Sequence, residues 1–334
     1  MASVETLPTQ RASWRTPLTV GAALLAAAFG LRALDAIGVA ALRNFLIVFA
    51  SLLIEALPFI VIGAAVSALI EVFVPASAFA RLARVPRALQ QPIAGLGGFA
   101  FPVCECGSVP VARRLLQKGL SPPAAITFML AAPILNPVVL VATAVAYRGR
   151  DILWPMVIGR GALGLVVAVV AGWVLGTGKG TEILRSERRP GEPHDHGDAP
   201  QARGAAYFGH LASDFTMLAR YLVIGAAIAA ALQTFLPQQV LASVAGTPIV
   251  GVAALMLLAS LLSLCSESDA FVAASFVQFG MSAQLAFLVV GPMFDAKLAV
   301  LYGGTFQRGF VLKIAAVIFA ATLAGALWFQ LAFG

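Results

Sequence analysis

The sequence predicts an all-α polytopic membrane protein: two inverted-topology repeats, each containing a broken or re-entrant helical hairpin. Three observations carry that prediction. First, the 334 residues are 60% hydrophobic and only 11% charged, with a mean hydropathy of +0.93. A soluble globule is about 45–50% apolar and about 25% charged, so this chain could not cover itself with polar surface in water. Second, its apolar runs reach the roughly 20 residues that a helix needs to cross a hydrocarbon core. Third, the runs repeat. Residues 57–75 (LPFIVIGAAVSALIEVFVP) and 219–237 (ARYLVIGAAIAAALQTFLP) match at eight of nineteen positions, including the block VIGAA and the closing Pro75 and Pro237. An ordinary cytosolic enzyme, a nucleic-acid module and a disordered chain are excluded. The 31 Gly and 19 Pro agree with this class, because both residues are common in membrane helices.

Residues 1–16 form a polar tail with Arg11 and Arg15, expected to be cytoplasmic. Residues 17–38 read as an extra first transmembrane helix that is retained, since no small-residue cleavage site follows the apolar run. Its Arg32 and Asp35 lie three apart, on one face. Residues 40–176 make the first repeat, with spans near 46–74, 121–147 and 152–176. Residues 177–206 hold five basic and five acidic residues among Pro and Gly and read as a flexible polar linker, also cytoplasmic. Residues 207–334 make the second repeat, with spans near 215–236, 282–301 and 310–332.

Two further apolar stretches, 92–118 and 248–280, contain polar and helix-breaking residues at mid-length and are expected to form the hairpins. The loop after Pro75 carries Arg81, Arg84 and Arg87, whereas the loop after Pro237 is uncharged. Positive residues favour the cytoplasmic side. If each hairpin returns to the side it left, the equivalent loops lie on opposite faces and the repeats are inverted, a plan common in secondary transporters.

The chemistry concentrates in the breaks. In FPVCECGSVPVARRLLQKG, residues 101–119, an extended backbone would put Cys104 and Cys106 on one side, with Glu105 adding a carboxylate. Thiolates suit soft metals, and charge at membrane depth marks functional sites. The bland alternative makes the cysteines small apolar fillers. Arg113, Arg114 and Lys118 are expected to anchor the hairpin at the cytoplasmic interface. The echo, SLCSESDAFVAASFVQFG at 263–280, holds Cys265, Glu267 and Asp269; there Ser266 or Ser268 could simply cap the next helix. A second break follows each hairpin, with Asn136 in APILNP (132–137) and Asp295 in GPMFDAK (291–297). Freed carbonyls and half-helix ends there can serve an ion, or the breaks can be structural kinks, with Asp295 pairing Lys297. Glu55 reads as a bundle-facing polar contact and Arg160 as a snorkelling or pairing residue. The short His194, Asp195, His196 run, with His210 nearby, could collect metal weakly.

Residues 101–137 resemble the signature of the YraQ-like predicted permeases, the broad family that includes the arsenical permeases. CSESDAFVAASF (265–276) and FLVVGPMFDAK (287–297) resemble that group's second-half signature. The resemblance implies a polytopic inner-membrane permease, not an enzyme, handling trivalent organoarsenicals in some branches and zinc or copper in others. It carries Cys104, Cys106 and Cys265 over as substrate ligands. Relatives often have Cys-Ser-Cys where this chain has Cys104-Glu105-Cys106, and the added acid favours a divalent cation over neutral methylarsenite.

The expected substrate site is therefore Cys104, Glu105, Cys106, Cys265, Glu267, Asp269, Asn136 and Asp295. Cys104, Cys106, Cys265 and Glu267 are the metal-ligand set, and no resident cofactor is expected beyond a transported metal or metalloid. Expected partners are the lipid bilayer, a small inorganic or organometallic solute, a small membrane protein and a second copy of the chain, but no nucleic acid. No GxxxxGK[ST] loop is present, so ATP hydrolysis would have to come from another chain. A membrane metal or thiol sensor, or a subunit that does not carry substrate alone, is the competing reading. An intramembrane redox enzyme using Cys104 and Cys106 is a third.

Overall fold

The computed structural model describes residues 40–74, 85–100, 103–176, 184, 200–235 and 248–333. The tail, the first span at 17–38, the loops after Pro75 and Pro237, and most of the linker, with His194, Asp195 and His196, lie outside the described residues. Among the described residues the secondary structure is helical apart from one bridge, between Leu184 and Phe306.

The first half contains α1 (Ala40–Phe73), α2 (Arg87–Ala100), α3 (Glu105–Gln117), α4 (Pro122–Leu135), α5 (Pro137–Ala146) and α6 (Leu153–Leu175). The second half repeats that order with α7 (Pro200–Phe235), α8 (Pro248–Leu262), α9 (Asp269–Ser275), α10 (Met281–Met293), α11 (Ala296–Thr305) and α12 (Arg308–Phe333). α7 starts at Pro200, inside the stretch expected to be linker, and Leu184 is held against the end of α11.

Among the described residues, six apolar segments are long enough to cross a membrane: 41–73, 122–146, 153–175, 204–234, 281–305 and 309–332. The protein is multi-pass. Two crossings are central: 78% of the most apolar window is buried in both 122–146 and 281–305, against 17–39% in the other four. The outer helices present Trp154, Trp173, Leu312, Trp328 and Leu331 outwards, as lipid-facing surfaces require.

The paired helices α2–α3 and α8–α9 occupy the expected hairpin positions. At 1.5 Å per residue, α2 and α3 are about 20 Å long, short of a roughly 30 Å core. Ser121 Oγ donates to Gln90 Oε1 at 2.8 Å, so the start of α2 and the residue after the hairpin lie side by side. The first hairpin returns to the end it left.

The repeated VIGAA block has a packing reason. A Cβ added to Gly63 would sit 2.5 Å from the Cα of Gly107, and one added to its counterpart Gly225 would sit 2.8 Å from the Cα of Lys297. Each glycine lets the backbone of a site-bearing helix press directly on α1 or α7, the close approach that small residues permit in membranes.

Candidate functional site

Both central crossings break and restart at a helix capped by a side chain. Pro137 lacks an N–H and begins α5, where that donor would be unused anyway. Asn136 Oδ1 accepts from Val138 N at 3.0 Å, capping the new helix. In the second half Asp295 does the equivalent, accepting from Leu298 N at 2.6 Å at the start of α11. Asn136 spends its side-chain oxygen on that cap, whereas Asp295 keeps a second oxygen for the interior.

The hairpin tips meet these breaks. Cys104 is the N-cap of α3, its sulfur accepting from Gly107 N at 3.4 Å. Glu105 follows in the first turn, where the helix dipole favours an anion. In the second hairpin the chain leaves α8 through Ser263, in left-handed backbone at φ 48°, and passes Cys265 before α9 begins at Asp269. Neither serine there caps α9: Ser268 makes no side-chain cap bond, and Ser266 is engaged elsewhere.

Its hydroxyl donates to Glu105 Oε2 at 2.6 Å, joining the two hairpins. The other Glu105 oxygen lies 3.8 Å from Lys297 Nζ, which is also 3.7 Å from Asp295 Oδ2. The Ser266 carbonyl accepts from Arg160 at 3.1 Å, and the same guanidinium nitrogen holds Asp269 at 2.9 Å. Arg160 also donates to Thr143 Oγ1 at 2.8 Å. Arg160 is 0% exposed; it is a buried pairing residue, not one that snorkels to the interface. Glu55 accepts from Ser268 Oγ at 3.1 Å, the bundle-facing contact expected of it.

Cys104, Cys106 and Cys265 are all buried free thiols. Cys265 lies within electrostatic reach of Glu105, Lys297, Glu267 and Glu55, and Cys106 of Cys104, Glu105 and Lys297. Glu105, Asp295, Cys106 and Cys265 thus lie within reach of one ammonium group, while Glu267 lies near Glu105, Cys265 and Arg160 instead. Asp269 belongs to the neighbouring Arg160 pair, and Asn136 to its own helix. Among the described residues no three of His, Cys, Asp and Glu gather closely enough to hold a metal ion in this arrangement. Cys106 and Lys297 line a cavity of about 10 Å³ with Ile60, Leu218, Leu222 and Leu301, close to the minimum for one water.

A second polar cluster joins α3 to α1 and α7 at the end where the first hairpin begins and returns. Arg114 donates to Asp214 at 3.1 Å and lies 3.7 Å from Glu71, with His210 Nδ1 3.4 Å away. Ser67 donates to the other Asp214 oxygen at 2.7 Å. Lys118 donates to the carbonyls of Glu71 and Val74 that end α1, and Arg113 to the Met217 sulfur. The expected interfacial anchors therefore form a latch. Its acceptor Asp214 was not picked out by spacing; the available signal was an acid inside an otherwise apolar span. Ser266 and the reach of Lys297 to Glu105 were missed as well, because both contacts join distant parts of the chain.

A family model described as a predicted permease matches residues 41–331. The chain is 39% identical over 282 residues to the UPF0718 protein YcgR of Bacillus subtilis (strain 168), covering 84% of this chain and 95% of that protein. It is 35% identical over 270 residues to a putative two-component membrane permease complex subunit of Streptococcus mutans serotype c (strain ATCC 700610 / UA159), covering 80% of this chain and 89% of that protein. No solved structure matches.

Proposed function

The chain belongs to this family of predicted permeases, and from that premise we propose that it is a secondary transporter for a thiophilic metal or metalloid, a divalent cation such as zinc or an arsenical, in the inner membrane. The supporting observation is the convergence of buried thiols and carboxylates where the two hairpins meet, joined by the Ser266–Glu105 bond. Sulfur and carboxylate together suit a borderline-soft cation.

In this reading Cys106, Cys265 and Glu105 contact the cargo, with Cys104 and Glu267 joining as the tips rearrange. Glu105 and Glu267 balance the cargo's charge. Asp269, with Arg160, fixes the second tip. Asn136 and Asp295 hold the half-helices that frame the site. The Arg114–Asp214–Glu71 latch closes one end, and inverted repeats would let one half rock against the other to open the ends in turn. The N-terminus and linker face the cytoplasm.

The test is flux in proteoliposomes, comparing Zn(II), Cu(I), arsenite and methylarsenite for the wild type and the Cys104→Ser/Cys106→Ser variant. Flux of one substrate that falls at least about tenfold in the variant supports the reading. Wild-type flux that the variant retains in full removes the thiols from the mechanism.

A second reading, that the chain is one subunit of a larger permease, is favoured by the two-component name of the Streptococcus mutans relative. It predicts no flux from the purified chain and restored flux when a co-purifying membrane partner is added.

A further inference from the structure

The ammonium of Lys297 stands where a cation is needed but is held loosely. It lies 3.8 Å from Glu105 and 3.7 Å from Asp295, beyond hydrogen-bond distance of either. Asp295 Oδ2 is buried without a hydrogen-bond partner among the described residues. The side chain is 4% exposed and borders the small cavity that also receives Cys106. The Lys297 backbone has no such freedom, because Gly225 presses on its Cα and Asp295 caps the turn it begins. A fixed backbone, a flexible four-carbon stem and an adjacent void allow one motion, displacement of the ammonium alone.

Resting on the transport reading above, we infer that Lys297 is a resident stand-in for the cargo: its ammonium fills the cation seat of Glu105 and Cys106 when the carrier is empty, and an arriving soft divalent cation displaces it towards Asp295. The lysine then has a carboxylate in both states. Asp295 lies two residues away on the same helix start, so the displaced charge stays paired. Without the lysine, an empty carrier would bury Glu105 and Asp295 with no cation between them, and a buried charge stripped of its partner is strongly destabilising. The empty protein could then no longer reorient, while the loaded one still could. The device also sets specificity, since a monovalent ion brings no more charge to the seat than the ammonium it must replace.

The experiment uses the full-length protein in proteoliposomes, with Cd(II) as the probe, measured as net flux down a gradient and as exchange of internal for external label. In Lys297→Met the ratio of net flux to exchange should fall about tenfold or more. Lys297→Arg, which keeps the charge, should restore most of that ratio. Net flux and exchange that fall together in Lys297→Met, or a ratio unchanged from wild type, overturn the inference while leaving transport itself intact. If the wild type moves no Cd(II) in either mode, it is the transport reading for this class of ion that fails. The seat is then judged in detergent by the ultraviolet charge-transfer band of the Cd(II)–thiolate bond. Affinity about tenfold tighter in Lys297→Met supports a displaced competitor; equal affinity, or no band from either protein, overturns it.

Discussion

The broken crossings α4–α5 and α10–α11 both restart at a helix capped by a side chain, and they differ in the charge they bring. Asn136 and Asp295 both cap a new half-helix, but only Asp295 brings charge, and only its helix carries a lysine back towards the first hairpin. The hairpins differ in the opposite sense. α3 brings Arg113, Arg114 and Lys118 to one end of the molecule, while α9, DAFVAAS, brings no cation. The repeats therefore supply duplicate frames with unequal chemistry. The first half contributes Glu105, the buried Arg160 and the latch cation Arg114, and the second contributes Lys297 and the latch acceptor Asp214.

The sharpest way to break this comparison is to truncate both caps. Asp295→Ala removes a cap and one carboxylate of a buried ion pair, and should cost about 3–5 kcal/mol in unfolding measured in detergent. Asp295→Asn, which makes the second break chemically like the first, should keep the cap and lose less. A smaller effect is expected at the latch. Asp214→Asn weakens a charged hydrogen bond to Arg114 and should cost about 1.5–3 kcal/mol, with faster labelling of Cys106 by maleimide because Leu218 and Leu222, one and two turns along α7, wall its cavity. Unchanged labelling would mean that the latch does not guard that route. The smallest effect belongs to Asn136→Ala, a cap alone, at about 1 kcal/mol. If Asn136→Ala costs as much as Asp295→Ala, the supposed asymmetry of the two breaks is wrong.

Features written in local sequence were legible. Apolar length gave the described crossings, Pro and Gly marked the breaks, and the VIGAA repeat pointed to two halves of like organisation. Pairing of Asp295 with Lys297, two residues apart, could also be read directly. The rest depended on tertiary proximity. Arg160 with Asp269, Ser266 with Glu105 and Arg114 with Asp214 each join residues about a hundred or more positions apart, and no spacing rule points from one partner to the other. The metal-ligand set rested on Cys104 and Cys106 sharing a side of an extended strand. The backbone instead turns helical at Glu105, and Cys104 becomes its cap, which redirects that sulfur to a backbone donor.

The Ser266–Glu105 bond also has a consequence in time. Translation completes α3 long before Ser266 or Lys297 exists, so for much of synthesis Glu105 sits in the nascent chain without the hydroxyl and ammonium that will receive it. The first half is thus an unfinished object that stays polar at its heart until the second half arrives.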